Sequence, residues 1–299
     1  MPSSIWDIAT LVTKLLIYAG FAQAVAIPFI AVLCRFNQAI LAQLKKTSYI
    51  GLFLALLATT AYFFIQVAVF AENGFSGAFD QFYIELIWRS GVGEMTIWRA
   101  SAVIMSLLSL VLIYRHVNKP SLRLLVLIMV IYTFNLIVIG LSFSASGHVS
   151  ELSNLAHFTI GLHVLMAFGW LGLLWPLIVI CRTFKSQAVA HVMHRFGQMA
   201  LVMVTLLIAA GGYLAFNLVI GLDALLHTNY GQLLLFKLLL VIVMLLFAAY
   251  HKFILVPGLL KATKSRYSLA SSIKAELGVG VAILIVTALL TTWVGPTSH

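Results

Sequence analysis

Apolar positions along this chain gather into runs of about 20 residues, long enough for each to cross the hydrocarbon layer of a bilayer as a helix. Charges or turn-forming residues interrupt the runs, and the boundaries predict helices over Ile8–Leu33, Tyr49–Phe70, Met95–Tyr114, Leu122–Phe143, Leu155–Cys181, Phe196–Ile220, Tyr230–Val256 and Glu276–Trp293. The segment from Glu72 to Glu94 is too long for a simple turn. Its Phe75, Phe79, Phe82 and Leu86 recur at helical spacing, which predicts a helix lying flat on the outer membrane surface with its acids toward water.

Short matches suggest an internal duplication. Pro28-(x)5-Cys34-Arg35 returns as Pro176-(x)4-Cys181-Arg182, and Gly93-(x)5-Arg99 returns as Gly231-(x)5-Lys237. Four helices separate the copies, so both halves keep one orientation and the repeat is a parallel one. The fold class expected is all-α, a polytopic membrane bundle of eight transmembrane helices in one membrane domain over residues 1–299. Its halves are residues 1–143, which include the external segment 72–94, and residues 144–299.

Composition agrees with the pattern, since 63% of residues are hydrophobic and only 9% charged. Soluble domains carry about a quarter charged residues, so the solvent implied here is lipid. The formal charge of +10 raises nucleic acid as a partner, but the basic residues form no long stripe. They fall in alternate connections instead: Arg35, Lys45 and Lys46; Arg115, Lys119 and Arg123; Arg182, Lys185 and Arg195; and Lys252, Lys261, Lys264, Arg266 and Lys274. Seven of the eight acids (Asp7, Glu72, Asp80, Glu85, Glu94, Glu151 and Asp223) lie in the intervening segments. The positive-inside rule then places both termini outside the cytoplasm. The first run follows Asp7 without a basic leader, which predicts a retained span rather than a cleaved signal. Cys34 and Cys181 each end an apolar run beside an arginine, a setting for reduced thiols rather than a disulfide framework.

Candidate chemistry concentrates in the histidines, because an imidazole in a dry bundle needs a hydrogen-bond or metal partner. His148, His157 and His163 crowd one stretch and form a path inward from outside. His163, Met166 and Trp170 follow i, i+3, i+7 spacing and share a helix face. Imidazole with thioether suits copper, Cu(I) in particular, better than magnesium or calcium. His157 and His163 point about 120° apart on a straight helix, so a shared ion needs help from another element such as His148. The ordinary alternatives are a histidine satisfied by a carbonyl and a methionine that fills core. Met199 and Met203 share a face of the sixth helix and could extend a thioether path. Arg99 and Lys237 lie inside the outer boundary, where each either attracts an anion, pairs with an acid such as Glu94 or Asp223, or snorkels outward. Glu276 enters the eighth helix near Lys274, which predicts a structural ion pair or an interaction with the helix N-terminal dipole rather than a proton-coupling role.

Taken in order, these residues resemble the copper resistance protein D family. The resembling motifs are Ser146-Gly147-His148, His163-(x)6-Trp170-Leu171-Gly172, Arg195-Phe196, Asn229-Tyr230-Gly231-(x)5-Lys237 and Glu276. Leu171 stands where the family usually has a first glycine, Gly197 where it has serine, and His251 where it often has asparagine. The resemblance implies copper handling at the bacterial inner membrane, by uptake from the periplasm toward the cytoplasm with a periplasmic copper carrier as partner, and no enzymatic activity. His148, His157, His163 and Met166 are the candidate metal ligands, and Trp170, Arg99, Lys237 and Glu276 the other candidate functional residues. The competing readings are a membrane b-type cytochrome, whose haem iron would also take bundle histidines, and a copper-insertion factor that moves no metal.

Overall fold

The computed structural model describes residues 5–34, 37–116, 121–144, 153–218, 221–261 and 264–294. Among them the secondary structure is helical throughout, and eight helices are long and apolar enough to cross a membrane. The spans are α1 (Ile5–Leu33), α2 (Gln38–Ala71), α5 (Gly91–His116), α6 (Leu122–Ser144), α7 (Asn154–Thr183), α8 (Ser186–Leu218), α10 (Asn229–Tyr250) and α12 (Arg266–Thr292). Between α2 and α5 lie two short helices, α3 (Gly74–Gly77) and α4 (Gln81–Trp88), and α9 (Gly221–His227) precedes α10. After α10 the chain makes a π-helical turn, His251–Leu255, and then α11 (Val256–Leu260), which completes the seventh span.

Three helices start well before their apolar runs: α2 at Gln38, α8 at Ser186 and α12 at Arg266, where the runs begin at Tyr49, Phe196 and Glu276. The early turns are amphipathic, so a run of apolar residues does not reveal them. In α2, Ile40, Leu41 and Leu44 are buried while Gln43, Lys45 and Lys46 are exposed. Local capping marks the true start, because the Asn37 side chain accepts the Ala39 and Ile40 N–H groups. Ser265 does the same for α12 by accepting the Tyr267 N–H.

The segment 72–94, expected as one surface helix, is two helices. Glu72 ends α2 in the left-handed conformation, and the Asp80 carboxylate accepts the Phe82 and Tyr83 N–H groups to begin α4. The pair packs on α2 and α5 through Ile87 and leaves Phe75, Phe79 and Phe82 exposed.

The helices α1 and α7 form the centre of the bundle and are its most enclosed spans. They meet at Gly172, where a Cβ would lie 1.9 Å from the Ala22 carbonyl oxygen, so only glycine allows the two backbones this close. Leu171 fits into α12 at Gly280, whose missing side chain makes the space: a Cβ there would lie 2.3 Å from Leu171 Cδ2. Gly140 and Gly161 bring α6 and α7 together in the same manner. One hydrophobic core is built mainly from α1, α2, α5 and α6, and a second from α7, α8, α11 and α12 with the inner end of α1. Two polar contacts cross between helices of the first core, with Tyr132 Oη donating to the Val25 carbonyl at 2.7 Å and Asn135 Nδ2 donating to Ser106 Oγ at 2.8 Å. Helix α10 sits at the edge, packed on α12 and α9.

Candidate functional site

Helix α7 carries four of the eight predicted residues, and its start is set by Ser153, whose hydroxyl accepts the Ala156 N–H. His157 lies half-buried in the first turns. His163, about 9 Å further along the helix, turns toward α8, where its Nδ1 lies 3.1 Å from the Leu207 carbonyl oxygen. A carbonyl can only accept, so Nδ1 carries the proton and the lone pair is on Nε2. An outer partner of this kind fixes the tautomer and aims a ligating nitrogen. Gly211 makes room for the ring, since a Cβ there would lie 2.9 Å from His163 Cε1. Lys237 of α10 is close enough to act on His163 electrostatically, and it makes no hydrogen bond or ion pair among the described residues.

One face of α7 continues from His163 through Met166 to Trp170. Met166 is half-buried and packs against the second core, to which Trp170, Met203, Met193 and Met244 belong. Met203 of α8 presses on α7 at Gly169, where a Cβ would lie 3.4 Å from its sulfur. Met166, Met193, Met203 and Met244 thus share one core beside α7.

Next to Trp170 in the same core is a buried polar cluster. Trp170 Nε1 donates to Glu276 Oε1 at 3.1 Å, while Glu276 Oε2 lies 3.3 Å from His251 Nδ1. His251 Nε2 lies 2.8 Å from Ser272 Oγ, completing a chain from α7 through α12 to the π turn. Trp170, Glu276 and His251 are all at most 5% exposed. The expected contact of Glu276 with Lys274 does not form; Lys274 is exposed, two residues away around the helix, while Glu276 points into the bundle. The π turn that presents His251 arises where Val256 N–H reaches back five residues to the His251 carbonyl, next to Pro257, which has no N–H to offer the regular ladder.

His148 lies outside the described residues. Among the described residues no three His, Cys, Asp or Glu side chains converge as a closed metal site would require. Arg99 does not snorkel and does not meet Glu94, which instead accepts from Trp98 Nε1 at 3.2 Å; its guanidinium is buried among aromatic rings. Cys34 and Cys181 are free and buried in the second core. Sequence reasoning named His251 only as a departure from a pattern and did not connect it to Glu276. The available signal was Ser272 and Glu276 at i, i+4 on an apolar helix, with a histidine next to a proline-containing turn on the preceding span.

Residues 190–290 match the family described as copper resistance protein D. The copper transport protein CutJ of Bacillus subtilis (strain 168) is 27% identical over 237 residues, which cover 78% of this chain and 42% of CutJ. The chain thus spans less than half the length of that relative. The inner membrane protein YebZ of Escherichia coli (strain K12) is 25% identical over 248 residues, 80% of each protein. No solved structure gives a significant match.

Proposed function

We propose that the chain, a multi-pass membrane protein similar over residues 190–290 to the copper resistance protein D family, is a member of that family and a copper permease rather than an enzyme, taking copper from the periplasm toward the cytoplasm. The observation that carries this reading is His163, whose protonated Nδ1 is held by the Leu207 carbonyl so that Nε2 is free to ligate inside a lipid-shielded bundle. Copper is received at the outer end of α7 by His157 and His148 from a periplasmic carrier, passes to His163 with Met166, and moves along the thioethers that include Met203. Such donors are soft, and Cu(I) is the ion they favour. The lack of a three-donor cluster among the described residues agrees with a conduit, where each stop must bind well enough to admit the ion and weakly enough to release it.

At the inner end, Glu276 supplies the negative charge that a cation needs in a dry site, with Trp170 and His251 holding its two oxygens in place. Lys237 adds a positive charge beside His163, opposing a long stay there. In this proposal both termini face the periplasm. The chain is one membrane domain of two like-oriented halves; the central positions of α1 and α7, the first span of each half, support that division.

Copper flux into proteoliposomes, together with metal analysis of the purified protein, tests the mechanism. His163→Ala is expected to remove both flux and bound copper. Retention of both would refute the path; copper bound without flux in the wild type would identify a copper-insertion factor, and a Soret band in the purified protein would identify a cytochrome.

A further inference from the structure

The first four spans hold a second buried charge centre, separate from the copper path. Arg99 lies eight residues into α5, about 12 Å from its start, and is only 6% exposed. Its guanidinium carbon sits 4.9 Å from the Phe143 ring centroid and 5.7 Å from that of Tyr62. Nη2 has a long contact, 3.4 Å, to the Ser142 carbonyl and a weak one, 3.7 Å, to Met95 Sδ, while Nε has no acceptor. Lys14 of α1 adds a second cation within electrostatic reach of Arg99. Its ammonium has three acceptors, the Thr291 carbonyl and the Thr292 hydroxyl at 2.9 Å and the Thr291 hydroxyl at 3.3 Å, so it acts on the arginine's surroundings through its charge. Among the described residues neither cation meets a carboxylate.

A guanidinium enclosed in a low-dielectric interior with no carboxylate partner among the described residues is costly, since buried charges are generally paired, and the part-buried Lys14 adds to the positive field there. The aromatic faces stabilise the guanidinium plane, but they leave its Nε–H edge without an acceptor, and that edge is the one that grips an anion in the ring plane. Tyr18, buried between Phe143 and Phe168, and Tyr62 bring hydroxyl groups into the same region. We infer that the outer half of the first four helices binds one small monovalent anion, a halide or a short carboxylate, against Arg99 and Lys14. Enclosure of the arginine favours a small ion over a lipid phosphate, whose acyl chains would need a lateral opening at this point. The site uses none of the proposed copper ligands and stands independently of the copper reading.

Equilibrium binding of radiolabelled chloride to the full chain in nanodiscs, with acetate as competitor, tests the inference. Wild-type protein should bind chloride saturably at about one ion per chain, and acetate should displace it. Replacing Arg99 by Gln should abolish binding, whereas Arg99→Lys should keep it in weakened form. Lys14→Met, which leaves the arginine and its rings in place, should weaken binding about tenfold by removing one positive charge from the field at the site, and it carries the test where the Arg99→Gln protein does not fold. Absence of saturable binding in the wild type, or full binding in a folded Arg99→Gln or Lys14→Met protein, overturns the site. Native mass spectrometry supplies the remaining arm: a retained anionic lipid that blocks chloride and is released by Arg99→Gln would overturn the small-ion assignment in favour of a headgroup.

Discussion

Glu276 is held by two partners from two other elements, Trp170 and His251, and neither oxygen faces lipid. Replacing His251 by Ala leaves Oε2 buried without that neighbour, and an orphaned buried acceptor costs on the order of 1–3 kcal/mol. Thermal unfolding in detergent should therefore show a lower midpoint for His251→Ala than for wild type, and a smaller loss when Glu276→Gln accompanies it. A double-variant loss equal to the sum of the losses from His251→Ala and Glu276→Gln alone would show that the two residues do not interact. The thiol of Cys34, just past the end of α1, behaves in the opposite sense, because burial pushes it up to about 12. The thiolate is the reactive form, so at neutral pH the folded protein should resist maleimide and should label only as the pH rises toward strongly alkaline values. Unfolded protein should label readily near neutrality, and mass spectrometry distinguishes the two.

Helix contacts in this bundle depend on a few missing side chains. A Cβ on Gly172 meets the backbone of α1, which cannot rotate away, whereas one on Gly161 would lie 3.3 Å from Gly140 and asks for only a slight shift. Gly172→Ala is expected to destabilise the folded protein by about 1–3 kcal/mol through overpacking, and Gly161→Ala by less, as read by midpoint shifts in the same detergent. The element scale also shows what a single chain leaves hidden. Leu171 looked out of place beside Gly172 because a glycine pair is the family habit, yet Gly280 on α12 supplies the space from the other side. The early starts of α2, α8 and α12 were likewise concealed, although Asn37 and Ser265 stand in the sequence as ordinary caps. The broken external segment was legible at Asp80, a capping residue that a search for aromatic periodicity passes over.

For the whole molecule, orientation follows from where the basic residues lie, since arginine and lysine are retained on the cytoplasmic side during insertion. A cytoplasm-only fluorescent reporter fused to the C-terminus is expected to stay dark, and a periplasm-only phosphatase at the same point to be active; the reverse pattern would overturn the topology. Arg99 and Lys14 lie in the first four spans and His163 in the fifth, so the proposed anion site and the proposed copper path draw on different helices of the bundle.

Lipid embedding, helical class and the number of spans were decided by the sequence alone, because a backbone in hydrocarbon must satisfy its own hydrogen bonds and a run of apolar residues has one common way to do so. The histidine-bearing helix was legible for the same reason: an imidazole in such a run is conspicuous. Which groups meet across helices was decided only by tertiary structure. The Leu207 carbonyl at His163, the Glu276–His251 contact and the burial of Arg99 depend on helix rotation and on the close approach that glycines permit, and neither is encoded in the spacing of residues along one helix.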